Sequence, residues 1–312
     1  MDRYVVIGNP VQHSRSPQIH AEFARQTGQH LDYGRLLAPL DGFESTTREF
    51  FAAGGAGANV TVPFKEQAAR WVDRLDASAR LAGAVNTIVV TNAVDANALK
   101  ANALKANALK ANAVKANAVK ANSDAGSARV GYNTDGIGLV RDLEINLGWP
   151  LMGQRILLLG AGGAARGALL PLLARAPARL VVANRTVSRA QDLCAEFAAH
   201  LAALPAATPA ETLEAQAFTT LSGGFDIIIN ATSAGLSGGV PEIARDVAAG
   251  ARCYDMVYGA TTPFTRWAEA SGAMATADGM GMLVEQAAEA FWLWRGVRPE
   301  TRPVLAQLRL AR

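Results

Sequence analysis

Three small residues at a fixed spacing, Gly160, Gly162 and Ala165, follow an apolar run and precede a segment rich in alanine and leucine. An apolar run without alternation predicts a strand buried on both faces, as in a parallel sheet. Glycines permit a sharp turn and close approach of a ligand to the backbone, and the amino end of the next helix attracts phosphate. The pattern fits the dinucleotide-binding fingerprint. The chemistry it indicates is hydride transfer by a bound nicotinamide dinucleotide.

The strand that follows indicates which dinucleotide binds. An NAD site usually ends this strand with a carboxylate that accepts from the ribose hydroxyl. Here the position holds Asn184, with Arg185, Thr186 and Arg189 behind it. A guanidinium pairs with a 2′-phosphate that a carboxylate would repel. The residues predict NADP (NADPH), although a glycine turn can also be a plain strand–helix connection.

Polar side chains form further clusters outside this motif. They are Ser14-Arg-Ser16, Asn59-Val-Thr61 with Lys65, Asn86-Thr87, Asn133-Thr-Asp135-Gly136, and Gln286. Each alone has an ordinary structural interpretation: the serines can cap a helix, the asparagines can form turns, Lys65 can be solvated, and Asp135-Gly136 predicts a turn.

Taken together, the motifs resemble one family, the NADP-dependent shikimate dehydrogenases. The similar stretches are Asn9-Pro-Val-Gln-His-Ser-Arg-Ser-Pro17, Gly57-Ala-Asn-Val-Thr-Val-Pro-Phe-Lys-Glu66, Ala82-Gly-Ala-Val-Asn-Thr87, Gly131-Tyr-Asn-Thr-Asp-Gly136, Gly160-Ala-Gly-Gly-Ala164, Asn184-Arg-Thr-Val-Ser-Arg189, Asn230-Ala-Thr-Ser-Ala-Gly235 and Asp278-Gly-Met-Gly-Met-Leu-Val-Glu-Gln286. The resemblance covers the whole chain except residues 96–120.

The resemblance implies a role for each matching residue. Lys65 and Asp135 would be the catalytic pair. The substrate carboxylate would be held by Ser14, Ser16 and Tyr258, and the ring hydroxyls by Asn59, Thr61, Asn86 and Gln286. The cofactor would contact Gly160, Ala161, Gly162, Gly163, Ala164, Asn184, Arg185, Thr186 and Arg189, with Met256, Gly279 and Met282 beside the nicotinamide.

The residue types suit the reaction that this family catalyses, the reversible reduction of 3-dehydroshikimate to shikimate. Negative charge develops on the ketone oxygen as hydride reaches the ring carbon. An ammonium group such as that of Lys65 stabilises this charge and can deliver the proton. Neutral hydroxyl and amide side chains can hold the hydroxyls of a triol acid without adding fixed charge.

Strand and helix signals alternate along the chain, which predicts a two-domain α/β protein. In the first half we expect strands at Tyr4–Gly8, Ala58–Val62 and Val85–Val90, and a further strand from Arg129 that enters the turn at Asp135-Gly136. We expect helices from Ser16 and from Pro63. In the second half we expect strands at Ile156–Leu159, Leu180–Ala183, Phe225–Asn230 and Arg252–Val257, and a helix at Met282–Arg295. We expect residues 1–134 with 279–312 to form the substrate domain and residues 135–278 to form a doubly wound Rossmann-type NADP domain. We expect the active site in the cleft between these two domains.

Composition narrows the partners. With 312 residues, half of them hydrophobic, and a net charge of +3, the chain favours a small anionic ligand over nucleic acid. We expect reduced, buried Cys194 and Cys253, no metal, no membrane partner, a cytoplasmic location, and a monomer or homodimer.

Residues 96–120 repeat Ala-Asn-Ala-Leu/Val-Lys. A five-residue period moves the apolar side chain by about 140° beyond a full helical turn, so no single helix face collects these side chains. In a strand the odd period alternates their faces. The pattern predicts a solvated insertion at a hairpin tip.

Two other functions fit the same motifs. A quinate/shikimate dehydrogenase would accept a second substrate and also NAD, although Arg185 and Arg189 favour NADP. A ligand-sensing module would bind both ligands without turnover, which the intact Lys65 and Asp135 disfavour.

Overall fold

The computed structural model describes residues 1–91, 128–202, 212–234, 238–259 and 261–310. The predicted repeat at 96–120 lies outside these residues. The strands are β1 (Asp2–Gly8), β2 (Leu31–Leu37), β3 (Gly55–Val60), β4 (Arg74–Leu75), β5 (Thr87–Thr91), β6 (Ala128–Tyr132), β7 (Arg155–Leu159), β8 (Arg179–Asn184), β9 (Leu213–Ala217), β10 (Ile227–Asn230), β11 (Arg252–Asp255) and β12 (Ala275–Asp278).

The α-helices are α1 (Ser16–Thr27), α2 (Phe43–Ala52), α3 (Lys65–Trp71), α4 (Ala77–Ala82), α5 (Asp135–Arg141), α6 (Gly163–Leu173), α7 (Val187–Ala202), α8 (Pro263–Ala270), α9 (Met280–Arg295) and α10 (Thr301–Leu310). A π-helical segment, Asp142–Asn146, continues α5. Among the described helices, none is long and apolar enough to cross a membrane.

The first six strands form a mixed sheet in the order β2-β1-β3-β5-β6-β4. Strands β1, β2 and β3 are parallel, and β5 is antiparallel to both β3 and β6. The carboxyl ends of β1, β3 and β6 therefore lie at the same end of the sheet as the amino end of β5. The two faces of this sheet bury apolar clusters, one around Phe43, Phe64 and Ile88 and one around Tyr4 and Tyr33.

The last six strands form an all-parallel sheet in the order β12-β11-β10-β7-β8-β9. The order reverses at β7, which gives the doubly wound arrangement in which ligands bind at the carboxyl ends of the strands. Its central strands are buried on both faces, as Ile156–Leu159 and Leu180–Ala183 show, and this explains their continuous apolar sequence.

The chain divides into two compact units. One contains the described residues up to Asn133 together with Ala290–Pro299, and the other contains those from Thr134 to Glu289 and from Glu300 onward. The division predicted from sequence places its boundaries one residue later, after 134, and at 279.

The predicted fold class is confirmed, and each predicted strand and helix is present with ends shifted by a few residues. The prediction of a chain turn at Asp135-Gly136 is wrong, because both residues lie in the first helical turn of α5. Gly136 is required there for packing, since a Cβ would collide with the carbonyl oxygen of Gly167 on α6. Strands β2, β4, β9 and β12 were not predicted.

Candidate active site

Polar residues collect at the edge of the mixed sheet where β3 ends and β5 begins. Asn59 is paired in register with Thr87, and Thr87 is paired in turn with Tyr132. The backbone N–H of Asn86 donates to the Tyr132 carbonyl at 3.0 Å. Antiparallel pairing therefore brings Asn59 and Asn86, which are 27 residues apart, to one place in the sheet.

The side chains at this edge form a buried hydrogen-bond network. The Asn59 amide donates to the Asn86 carbonyl at 3.1 Å and to Thr87 Oγ1 at 3.0 Å, while its Oδ1 accepts from the Tyr33 hydroxyl at 2.6 Å. The Thr87 hydroxyl donates to Asn86 Oδ1 at 3.1 Å. Asn59 lies within β3, so the turn interpretation is wrong for this residue, whereas Asn86 lies at a bend immediately before β5. Tyr33 was not identified from sequence, because no local motif marks it, and Thr87 was named in the Asn86-Thr87 cluster without a role.

The serines lie where α1 begins. Ser14 Oγ accepts from the backbone N–H of Ser16 at 3.2 Å and donates to Ser16 Oγ at 3.2 Å. The Arg35 guanidinium binds the Ser14 carbonyl, which fixes this segment against β2. The N-cap residue of α1 is Arg15, without a side-chain capping bond, so the interpretation of the serines as helix caps is wrong. The two serine hydroxyls lie together in front of the helix.

Thr61 and Lys65 lie on the connection from β3 to α3. The Thr61 carbonyl accepts from the Phe64 N–H at 3.0 Å, and the peptide between Val62 and Pro63 is cis. Lys65 opens α3 and is half-buried, and its carbonyl accepts from the Val85 N–H at 2.9 Å. The turn and this bond fix the backbone that carries the amine.

The glycine turn lies at the carboxyl end of β7, in the second unit. Gly160 has φ +107°, a conformation that favours glycine, and a Cβ there would lie 3.2 Å from the backbone of Ala231. At Gly162 and Gly163 a Cβ would meet no heavy atom within 4 Å, and both residues are exposed. This open backbone leads into α6, so its N–H groups and helix dipole suit a pyrophosphate.

The loop after β8 suits the extra phosphate of NADP. The Asn184 amide donates to the Thr186 carbonyl at 2.9 Å, which shapes the loop, and Arg185 and Arg189 are exposed. No carboxylate ends β8. The residues present therefore fit NADP: Gly160–Ala164 would lie along the pyrophosphate, and the two arginines would hold the 2′-phosphate.

Two of the residues predicted to lie beside the nicotinamide follow the carboxyl ends of β11 and β12. The Met256 N–H donates to the Asn230 carbonyl at 3.0 Å, and the Gly279 N–H donates to the Val257 carbonyl at 3.1 Å. A Cβ on Gly279 would collide with the Met256 carbonyl, so only glycine permits this approach. Tyr258 is 41% exposed on the same connection.

Asp135 and Gln286 lie on helices α5 and α9 of the second unit. Asp135 is half-buried in the first turn of α5. The neighbouring Thr134 hydroxyl donates to Gln286 Oε1 at 3.2 Å. A Cβ on Gly138 would lie 2.8 Å from Gln286 Cβ, so glycine allows the two helices to approach here.

A buried acidic group below the start of α9 was not anticipated. Asp142 is 1% exposed and accepts from the Tyr254 hydroxyl at 2.7 Å and from the Asn146 amide at 3.0 Å. Asn146 also donates to Glu285 at 3.1 Å. Burial raises the pKa of Asp142, which the two donors oppose, and the nearby Glu285 raises it further. Met282, the other predicted nicotinamide contact, is also buried and lies in the first turn of α9.

An all-parallel sheet in this strand order, with an open glycine turn and arginines after the second strand, defines a Rossmann-type, dinucleotide-dependent oxidoreductase. Comparison with known proteins identifies which one. The chain belongs to the shikimate dehydrogenase (NADP(+)) family.

Three family models match successive parts of the chain. They are the shikimate dehydrogenase substrate binding domain at residues 6–88, shikimate / quinate 5-dehydrogenase at 144–237, and the shikimate 5′-dehydrogenase C-terminal domain at 279–309. The chain is 50% identical over 310 residues to the shikimate dehydrogenase (NADP(+)) of Alkalilimnicola ehrlichii, covering 99% of this chain and 98% of that protein.

Solved structures agree over the full length. An Ael1 enzyme from Pseudomonas putida is 41% identical, with a TM-score of 0.81 and coverage of 99% and 98% of the two chains. Shikimate 5-dehydrogenase from Thermus thermophilus, solved with NADP(H) and shikimate, is 27% identical with a TM-score of 0.75 and covers 100% of both chains.

Proposed function

We propose that this protein catalyses the reversible, NADPH-dependent reduction of 3-dehydroshikimate to shikimate, with Lys65 and Asp135 as its catalytic residues. Full-length similarity to NADP-dependent shikimate dehydrogenases supports the reaction. The cluster of neutral hydrogen-bonding groups around Asn59 supports a polyhydroxylated ligand, because each can match a hydroxyl without fixed charge.

In this reaction the bound NADPH supplies a hydride to the ring carbon of the ketone. The Lys65 ammonium stabilises the charge that develops on the ketone oxygen and donates the proton that completes the alcohol. The family resemblance supports Asp135 as the second catalytic residue, because a carboxylate can take up and return a proton. We propose Ser14, Ser16 and Tyr258 as the residues for the substrate carboxylate. For the ring hydroxyls we propose Asn59, Thr61, Asn86 and Gln286.

The use of lysine at position 65 supports proton transfer there. Outside residues 96–120 the chain has 24 arginines and a single lysine, Lys65. Arginine also stabilises negative charge but does not release its proton at accessible pH, whereas an amine can. A chain that otherwise uses guanidinium groups thus has an amine at the position proposed for the acid.

The decisive experiment is turnover by Lys65→Ala, with Lys65→Arg as the matched variant that keeps the charge. Both should bind NADPH like the wild type and lose on the order of 10²–10⁴-fold in kcat. Full kcat in Lys65→Arg would show that charge alone suffices, and unchanged kcat in both would refute the proposed mechanism. Absorbance of NADPH during incubation with shikimate and NADP reports turnover.

The same assay with quinate and with NAD tests the broader specificity. The model at 144–237 covers both shikimate and quinate enzymes, so quinate is the relevant second substrate. We expect shikimate with NADP to be preferred, because cations rather than a carboxylate follow β8.

We further propose a cytoplasmic enzyme that is a monomer or a homodimer. Both cysteines are free and buried, and burial raises the pKa of Cys194 to about 11 and of Cys253 to about 12. Such thiols suit a reducing compartment. Light scattering after size-exclusion chromatography would give the mass, and a mass above that of a dimer would refute the proposed state.

A further inference from the structure

The hydrogen bonds around Asn59 leave its side-chain amide able only to accept a hydrogen bond from a ligand. The Asn86 carbonyl can only accept, so the Asn59 Nδ2 atom must face it. The second Nδ2 hydrogen goes to Thr87 Oγ1. Both donors of the amide are therefore engaged within the protein, and Oδ1 must face Tyr33, whose hydroxyl donates to it.

We propose that Tyr33 is a positioning and specificity-determining residue that holds Asn59, whose two amide donors are engaged, in place as an acceptor-only contact for the substrate. This inference rests on the proposed function. An amide oxygen has two lone pairs, and Tyr33 uses one. A ligand group at Asn59 must then donate a hydrogen bond to the other. A ring hydroxyl can do this, whereas a ketone or carboxylate oxygen cannot.

The consequence concerns how the ring is oriented. The substrate carries hydroxyls, one ketone and one carboxylate on a single ring. An acceptor-only Asn59 selects a hydroxyl and rejects the ketone, because two facing acceptors lose their hydrogen bonds on desolvation. Tyr33 thereby helps to leave the ketone for Lys65 without touching the reacting atoms.

Tyr33 itself is held firmly. It lies on β2 in register with Tyr4 of β1, and Val6 of β1 pairs with Asn59, so its side chain lies on the same face as Asn59. Its ring is stacked on that of His20, with centroids 4.2 Å apart and planes 7° from parallel.

The hydroxyl has a stable protonation state. Tyr33 is 8% exposed, and burial raises its pKa well above the ordinary value, which the nearby Ser16 hydroxyl only partly opposes. Burial lowers the pKa of His20 to about 3, with Asn59 acting the other way, so the stacked ring stays neutral at working pH. Tyr33 also connects Ser16, proposed for the carboxylate, with Asn59, proposed for a hydroxyl.

The test is Tyr33→Phe, which removes the hydroxyl and keeps the stacked ring. Tyr4→Phe is the matched control, because Tyr4 is 4% exposed in the same aromatic group but its hydroxyl faces Arg295 at 3.4 Å. The kinetic measurements are kcat and KM for shikimate and for analogues that each lack one ring hydroxyl, and the KM for NADP. Calorimetry gives shikimate binding, and urea unfolding gives the stability of each variant.

Loss of this neutral hydrogen bond should raise the KM for shikimate about fivefold to tenfold in Tyr33→Phe, with smaller change in kcat and none in the KM for NADP. The analogue that lacks the hydroxyl donating to Asn59 should show no such increase in KM. The inference is overturned if all substrates are affected equally, or if Tyr4→Phe has the same effect. If the wild type does not oxidise shikimate, the proposed function itself fails.

Thr87→Val gives a second test if Tyr33→Phe does not fold. It leaves one Asn59 N–H without its acceptor, so the amide can donate to a ligand. The preference of the protein for a ring hydroxyl over the corresponding ketone analogue in calorimetry should then fall. An unchanged preference would overturn the inference.

Discussion

Two glycines of the same turn should lose different properties on substitution by alanine: Gly160→Ala should lower stability, and Gly162→Ala should weaken NADPH binding. Gly160 is buried with φ +107°, and an added Cβ would lie 3.2 Å from the backbone carbon and oxygen of Ala231, which cannot move aside as a side chain can. The conformation alone costs an alanine about 1–3 kcal/mol. We therefore expect Gly160→Ala to lower the free energy of unfolding by at least that amount.

Gly162 has none of these constraints. Its φ of −89° and ψ of −171° suit any residue, it is exposed, and an added Cβ would meet no heavy atom within 4 Å. Alanine is less favourable than glycine at a helix N-cap, but its unfolded backbone has less conformational entropy to lose on folding. The net change in the free energy of unfolding should therefore be below about 1 kcal/mol.

The effect of Gly162→Ala should appear in cofactor affinity. If the pyrophosphate lies against this backbone, the methyl group occupies its place, and overpacking of about 1–3 kcal/mol corresponds to roughly 5–150-fold weaker binding of NADPH. Urea unfolding and a fluorescence titration with NADPH separate the two effects. Wild-type NADPH affinity in a normally folded Gly162→Ala would refute the assignment of the turn.

Three further outcomes are expected. Arg185→Ala should weaken NADPH by about 1.5–3 kcal/mol and NADH far less, and equal losses in parallel titrations would contradict the phosphate assignment. Gly281→Ala should lower the free energy of unfolding by about 1–3 kcal/mol in urea, because its Cβ would collide with the buried Asp142 carboxylate, and wild-type stability would contradict this packing. The Arg155 guanidinium lowers the pKa of Asp226 below its usual 3.8, so the stabilisation is present above that pH and is lost below it. The difference in Tm between wild type and Asp226→Asn should therefore shrink as the pH falls below about 4, and a constant difference would contradict the pairing.

Much of the second unit could be predicted because its determinants are local in sequence. The apolar strands, the glycine turn and Asn184–Arg185 each lie within a few residues, so their spacing alone indicates a parallel sheet and an NADP site. Strands such as β2 and β12 were missed, because they are only partly buried and lack a continuous apolar run. The turn predicted at Asp135 failed because glycine there serves helix packing, which no neighbouring residue reveals.

The sequence by itself determined the chemical groups, namely one amine outside the repeat, neutral hydrogen-bonding side chains and arginines for a phosphate. Only the tertiary structure decided how these groups are constrained. The Tyr33 hydroxyl meets Asn59 across an intervening strand, and Tyr254 reaches Asp142 from 112 residues away. Such contacts depend on strand order and register, which arise from packing of distant segments and leave no periodic pattern in the chain.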